Sequence, residues 1–502
     1  LVLSGPDREQ RPFRALTMID ATELVCRFGP LRALDGASIQ VPRGGFTVLV
    51  GPNGAGKTTL IRVLATLRRP DGGDAFVGGH EVVSGADSVR RLIGYVGHRT
   101  MLYPDLTVQE NLSFHARLHG VANDDDVLRS VLVQVGLDQR RHDRVRGLSR
   151  GMLQRLAIAR ATLHDPPVLL LDEPHTGLDP TAAEALDETL TMLVGQGRTV
   201  LLATHDLARA SRLADRIVML HRGRVVWEAD AGDLSAADLE ARYRASVEGA
   251  VGAEEVGGPA RGERADEREQ VSARGRTGFM AATRALVWKD FASELRARAV
   301  VPPVLVFSLL IVVIFQFALP PDAAARQAAA AGGLWVALLL GSTLGLSRTM
   351  ATDSETDGIT GILVSPIDRG AIFAGKWTAA YLFALLVAVM LLPFLVVLLE
   401  LRITPMQVLE TGVVLALGLA GWTAAGVLFG AMAVSTRARE VLLPVLLYPM
   451  VLPLVIPAVQ ATGLVFDGSG LAAAAGPLGL IVAFDAVFWV LGFLFLSHIA
   501  GE

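Results

Sequence analysis

Gly51-Pro-Asn-Gly-Ala-Gly-Lys57-Thr58 lies between the apolar run Phe46-Thr-Val-Leu-Val50 and a helix-forming stretch that continues Thr59-Leu-Ile. Gly51, Gly54 and Gly56 permit a tight turn whose backbone N–H groups converge on phosphate, with Pro52, Asn53 and Ala55 completing the loop. The helix opened by Lys57, Thr58 and Thr59 points the positive end of its dipole at the same anion. Lys57 is expected to reach the β- and γ-phosphates of ATP, and the Thr58 hydroxyl to ligate Mg2+.

A second apolar run, Val168-Leu-Leu-Leu-Asp172-Glu173-Pro174, ends in two carboxylates. A buried strand delivering Asp172 at its C-terminal end suits Mg2+, directly or through water. Glu173 is then placed to polarise an attacking water, an assistance worth about 10²–10⁴-fold. Thr199-Val-Leu-Leu-Ala203 is a third buried strand, and His205 just beyond it is expected to contact the γ-phosphate. Ile217-Val-Met-Leu220 before Arg222-Gly223 reads as an edge hairpin. Apolar runs alternating with amphipathic stretches across residues 19–245 predict an α/β domain.

The 502-residue chain is too long for one ordinary domain. A net charge of −4 with no clustered basic face argues against nucleic-acid binding. Cys26 is the only cysteine, which excludes an internal disulfide and a Cys-x-x-Cys-His haem attachment site. Residues 1–18 read as a polar tail without the features of a signal peptide, with Met18 a candidate native start. Residues 246–279 are rich in Glu, Arg, Gly and Ala and read as a flexible charged linker between two halves.

The second half is apolar enough for six membrane spans, near 301–319, 332–347, 378–399, 411–434, 441–461 and 478–497 within a permease domain at 301–499. The second span is the shortest. Lys and Arg flanking the spans, including Arg348, Arg369, Lys376, Arg437 and Arg439, predict that both termini and the ATPase half lie in the cytoplasm. Residues 280–300 form an expected interfacial elbow helix, with Trp288, Phe291 and Leu295 on its membrane-facing side. The connection 353–375 is expected to hold a short helix that docks on the ATPase. Asp485 in the last span is either a functional intramembrane carboxylate or a hydrogen-bonded structural one.

The motifs of residues 19–244, in their order, resemble the ATP-binding cassette (ABC) family. Leu148-Ser149-Arg150-Gly151-Met152 is similar to its signature loop, with Arg150 and Met152 replacing the usual Gly and Gln. The resemblance implies that Ser149 and Gly151 face ATP bound by a second cassette, that Asp179 belongs to the loop linking the two sites, and that Phe28 stacks on adenine. His98 stands where that family usually has Gln, so metal contact there is in doubt. One cassette carries two half-sites that cannot meet, so the family pattern implies a homodimer.

Ile93-Gly-Tyr-Val-Gly-His98 resembles the ATPase subunit of the cytochrome c maturation haem exporter (CcmA). Glu294-Leu-Arg-Ala-Arg298 and Ile362-Leu-Val-Ser-Pro-Ile-Asp-Arg-Gly-Ala-Ile-Phe-Ala-Gly-Lys376 resemble its membrane subunit (CcmB). These likenesses imply a natural fusion: an α/β P-loop ABC ATPase domain followed by an all-α, six-helix, ABC-2-like transmembrane domain. They imply a multi-pass protein of the bacterial cytoplasmic (inner) membrane, in contact with lipid, a cytochrome c maturation membrane partner and a haem chaperone. Haem is the implied cargo. The membrane half has one histidine, His498, and scattered methionines, which favours ATP-driven release of a haem-loaded chaperone over haem passage through the chain. Two alternatives remain open: an exporter of a lipid, polysaccharide or drug-like molecule, and a non-transporting mechanical coupler of a membrane complex.

Overall fold

The computed structural model describes residues 17–248, 277–297, 301–318, 323–433 and 439–499. Most of the expected tail and linker lies outside the described residues.

The strands are β1 (Thr17–Phe28), β2 (Leu31–Pro42), β3 (Phe46–Val50), β4 (Gly72–Val77), β5 (His80–Glu81), β6 (Ile93–Val96), β7 (Val168–Asp172), β8 (Thr199–Thr204), β9 (Arg216–His221) and β10 (Arg224–Asp230). Six of them form a sheet in the order β10-β9-β3-β8-β7-β6, with β9, β3, β8, β7 and β6 parallel and β10 closing the edge as a hairpin with β9. Every residue of β3, β7 and β8 is buried, as continuous apolar runs covered on both faces require. Truncating one such side chain, for instance Leu201→Ala, costs about 2–5 kcal/mol. The register pairs Val50 with Thr204, and Asp172 with Ala203, so the carboxyl ends of β3, β7 and β8 finish level. Ligands of open α/β sheets collect at that edge.

A second, antiparallel sheet runs β2-β1-β4-β5. It shares one core with the first sheet and with α1 (Lys57–Leu64), including Leu24, Ile39, Leu49, Leu60 and Leu201. The other face of the main sheet is covered by helices at Arg150–Thr162 and Pro180–Gly195 and by the helix ending in Glu248. In chain order the remaining ATPase helices are α2 (Ala86–Leu92), α3 (Val108–Leu118), α4 (Asp125–Gln134), α5 (Arg150–Thr162), α6 (Pro180–Gly195), α7 (Leu207–Leu213) and α8 (Ala236–Glu248). A capping box starts α3: the Thr107 hydroxyl accepts from the Glu110 N–H, while the Glu110 carboxylate accepts from the Thr107 N–H.

The second half is helical throughout its described residues: α9 (Phe279–Ala297), α10 (Val301–Ala318), α11 (Ala323–Glu355), α12 (Gly358–Leu363), α13 (Arg369–Leu398), α14 (Pro405–Ala433), α15 (Arg439–Phe466), α16 (Gly470–Ala473) and α17 (Ala475–Ile499). Six of these, α10, α11, α13, α14, α15 and α17, are long and apolar enough to cross a membrane. The span expected to be shortest sits in α11, which is the longest helix at 33 residues. Apolar content marks only its membrane-crossing part, 329–346, while Ala-rich and polar turns extend the helix at both ends.

Small residues let these helices approach closely. A Cβ on Gly418 would lie 2.3 Å from the Trp335 ring, whose indole N–H donates to the Thr462 hydroxyl at 3.0 Å. One on Gly341 would lie 2.1 Å from the Ser308 hydroxyl.

The two halves meet in a core of Tyr103, Leu106 and Phe114 from the ATPase, Leu286 from α9, and Ile362, Ile367 and Ile372 from the membrane half. The short helix expected in the 353–375 connection is α12, which lies against Met101, Tyr103 and His115 through Gly358 and Gly361. The stretch expected to form the elbow is α9. On α9 the buried face carries Leu286, Lys289 and Asp290, whereas Leu295 is 75% exposed. Trp288 and Phe291 are only partly covered, by the Arg117 guanidinium at 4.5 Å and the Phe383 ring at 4.4 Å. Charged groups turned inward here because opposite charges on other helices meet them.

Candidate active site

The loop after β3 is held close to its neighbours. A Cβ on Gly51 would lie 2.2 Å from the Leu220 carbonyl oxygen, and one on Gly56, at φ +106°, 2.4 Å from that of Ala33. Only glycine fits these two positions. The Lys57 ammonium bends back and donates to the carbonyls of Gly51 at 2.6 Å and Pro52 at 3.3 Å. It also lies 3.7 Å from the Glu173 carboxylate. Burial lowers the Lys57 pKa below its ordinary value, against the pull of Glu173 and Asp172.

Thr58, exposed in the first turn of α1, donates its hydroxyl to Asp172 at 3.1 Å. Burial raises the Asp172 pKa; the Thr58 hydrogen bond opposes this, Glu173 adds to it, and Arg62 and His98 oppose it more weakly. His98, just beyond β6, is exposed. Glu173 follows β7 with φ +51°, a left-handed conformation uncommon for a residue with a Cβ. Its N–H donates to the Ala203 carbonyl at 3.0 Å, which fixes the turn against β8. The His205 ring nitrogen Nδ1 lies 2.9 and 3.0 Å from the two Glu173 oxygens, and its side chain is 59% exposed.

Level strand ends thus bring Lys57, Thr58, Asp172, Glu173 and His205 to one place. A hydroxyl and a buried carboxylate side by side are hard oxygen donors of the kind Mg2+ takes. Pro52, Asn53, Gly54, Ala55 and Thr59 lie in or beside the loop, with Asn53 and Gly54 exposed. Phe28, at the end of β1, is 48% exposed and carries the Arg68 guanidinium 4.7 Å from its ring centroid.

Ser149, Gly151 and Asp179 make none of these contacts and form a second group. Ser149 caps α5 by accepting from the Met152 N–H at 3.4 Å, and Asp179 caps α6 by accepting from Ala182 at 2.8 Å. Gly151 abuts Ala182, and the Arg150 guanidinium packs on Gly177, so the two capped helix starts are neighbours. The Arg150 contact was not foreseen; a non-glycine residue inside a glycine-type loop was its only signal. His175 is spent on Asp187 at 2.8 Å, which Arg209 also pairs with at 2.9 Å. Asp485 is half-buried in α17, with one carboxylate oxygen packed on Gly421 of α14 and without a hydrogen-bond partner there.

Residues 34–176 match the family model described as ABC transporter, and residues 281–498 match the one described as CcmB protein. Among curated relatives, the daunorubicin resistance ATP-binding protein DrrA3 of Streptomyces coeruleorubidus is 44% identical over 217 residues, 42% of this chain and 67% of that protein. The Nod factor export ATP-binding protein I of Burkholderia lata is 39% identical over 212 residues, 42% of this chain and 70% of that protein. A solved ATP-binding subunit of an ABC transporter aligns along all of its length with 45% of this chain, at 29% identity and a TM-score of 0.42. The chain belongs to the ABC transporter family, with a P-loop ATPase domain joined in one polypeptide to a multi-pass, CcmB-like membrane domain.

Proposed function

We propose that the chain hydrolyses ATP to drive a step of cytochrome c maturation: release of a haem-loaded periplasmic chaperone from its membrane partner, or export of haem itself. The observation that carries this reading is the match of the membrane half, over residues 281–498, to the CcmB family. The single histidine of that half, His498, supports chaperone release over passage of haem along the chain.

At the nucleotide, the Lys57 ammonium exchanges the Gly51 carbonyl for the β- and γ-phosphates, and the N–H groups of the loop hold the same anion. Thr58 and Asp172 would hold Mg2+, which would supply neutralisation of negative charge on the phosphates. Glu173 orients the attacking water and accepts its proton. His205, hydrogen-bonded to both Glu173 oxygens, holds that carboxylate and is exposed toward the γ-phosphate. Phe28 stacks on adenine. Ser149, Gly151 and Asp179 serve ATP held by a second copy, which makes the working unit a homodimer. The Lys and Arg bias supports an orientation with the ATPase domain and both termini in the cytoplasm and the spans in the inner membrane.

A second reading, export of a lipid, polysaccharide or drug-like molecule, is favoured by the named functions of the daunorubicin resistance and Nod factor export relatives. Deleting the gene separates the two. Loss of all c-type cytochromes with other haem proteins intact supports the first reading. Intact cytochromes with new sensitivity to amphiphilic drugs support the second.

A further inference from the structure

Four charged side chains are sealed between the ATPase and the base of the membrane helices. Lys289 and Asp290 come from α9, Asp353 from the end of α11 and Lys376 from the start of α13. Their side chains are 2, 5, 1 and 5% exposed in that order. The Lys289 ammonium donates to Asp353 at 2.9 Å and contacts Asp290 at 2.5 Å. Lys376 donates to both oxygens of Asp290 at 3.2 Å and also contacts Asp353. Each cation thus touches both anions, and the net charge is zero.

The lid of this quartet belongs to the ATPase. The Tyr103 ring centroid lies 4.4 Å from the Lys289 ammonium, within cation–π range. The Tyr103 hydroxyl lies against Gly358, where α12 begins; a Cβ there would come within 2.6 Å. Tyr103 is fully buried, and its N–H donates to the Asn111 side chain at 2.8 Å, while Asn111 donates back to the Tyr103 carbonyl at 3.0 Å. Two residues earlier, Met101 is buried at φ +58° and packs on Gly361 of α12. Seven residues before Tyr103, Val96 ends β6 and pairs with Leu171, the neighbour of Asp172 on β7. One short stretch, residues 96–103, therefore leads from beside the strand that ends in the candidate metal ligand to the quartet.

We infer that Lys289, Asp290, Asp353 and Lys376 form an electrostatic clasp on three membrane-domain helices, and that Tyr103 keys this clasp to the nucleotide state of the ATPase. The inference rests on ATP hydrolysis being coupled to movement of the membrane half. In a water-poor pocket, attraction between such close charges changes steeply with separation. A small shift of Tyr103 and α12 is then passed on as a discrete change in helix position, because packed interfaces are bistable rather than elastic. A purely apolar junction of the same volume could be as stable, but it would slide rather than switch. Tyr103 and the quartet are positioning residues; none of them touches the nucleotide site.

The test uses the full chain in lipid nanodiscs with one introduced cysteine, Met406→Cys, exposed near the start of α14; the native Cys26 is buried. Two quantities are read: ATP hydrolysis, and the rate of labelling by a water-soluble maleimide with and without ATP. The clasp predicts that Tyr103→Leu and Asp353→Asn still hydrolyse ATP but lose the nucleotide-dependent change in labelling. Tyr103→Phe, which keeps the ring over Lys289, retains that change. Tyr103→Leu removes no charge and so reads the inference even if Asp353→Asn does not fold. Retention of the parent's labelling change by Tyr103→Leu overturns the clasp. A parent whose labelling ignores ATP overturns coupled hydrolysis and the clasp with it; a parent that responds leaves only the clasp at stake.

Discussion

Two buried charge clusters, one at the strand ends and one at the junction of the halves, are built on opposite plans. At the junction, two ammoniums meet two carboxylates, each cation touching both anions. At the strand ends, Lys57 faces two carboxylates, Asp172 and Glu173, and spends its strong hydrogen bonds on its own loop. The first cluster is complete without a ligand. The second sets one ammonium against two neighbouring carboxylates, one with a pKa pushed up by burial and the other in a left-handed turn. A saturated cluster fixes geometry, whereas an unbalanced one is poised to bind a cation and a phosphate.

The largest effect that would break this contrast is at the strand ends. Lys57→Ala removes the ammonium expected to reach the phosphates and is expected to lower kcat/KM for ATP by about 10²–10³-fold, as loss of a preorganised donor does. Phosphate release in nanodiscs measures it. A loss under tenfold would mean the loop N–H groups suffice.

At the junction, Asp353→Asn leaves Lys289 and Lys376 sharing Asp290 alone. Breaking a buried pair from one side is expected to cost about 3–5 kcal/mol of stability. The double change Asp353→Asn with Lys376→Gln leaves the balanced Lys289–Asp290 pair and is expected to cost less than the single one. Denaturant unfolding in detergent compares them, and equal losses would show that charge balance is not what holds the quartet.

Asp172→Asn sharpens the contrast through stability. A carboxyl whose folded pKa lies above its unfolded value binds more protons when folded, so its charged form weakens the fold at neutral pH. Its contribution to stability is fully present below the unfolded pKa and is lost as pH rises from there through the folded pKa. Without nucleotide, Asp172→Asn is therefore expected to raise Tm at pH 7, and to lose the further Tm rise that Mg-ATP gives the parent. A lower Tm without nucleotide would contradict the burial account. Phe28→Ala is the smallest effect: loss of one stacking face, about 0.5–1.5 kcal/mol, read as a several-fold rise in KM for ATP with kcat unchanged.

The strand-end cluster was legible in the sequence because each part carries a local signature. A glycine loop after an apolar run, and a carboxylate pair after another, need no knowledge of distant contacts. The antiparallel sheet of β1, β2 and β4 was not legible. Its strands alternate buried residues with Asp20, Glu23, Arg32 and Asp35, and lack a continuous apolar run. The junction quartet was invisible for a different reason: Lys289 and Asp353 are 64 residues apart, and Asp290 and Lys376 are 86 apart. Single charges on a helix read as solvent-facing until the opposite charges are brought beside them. That is also why Lys289 and Asp290 lie on the buried face of α9, opposite the exposed Leu295.

The account turns on Glu173 working from its left-handed turn on water beside the γ-phosphate. The most direct measurement is steady-state phosphate release by the purified full chain in lipid, compared with Glu173→Gln. ATP hydrolysis by the parent, with a loss of about 10²–10⁴-fold in the variant while ATP still binds, is the predicted result. An inactive parent, or a variant that keeps the parent's turnover, would contradict it.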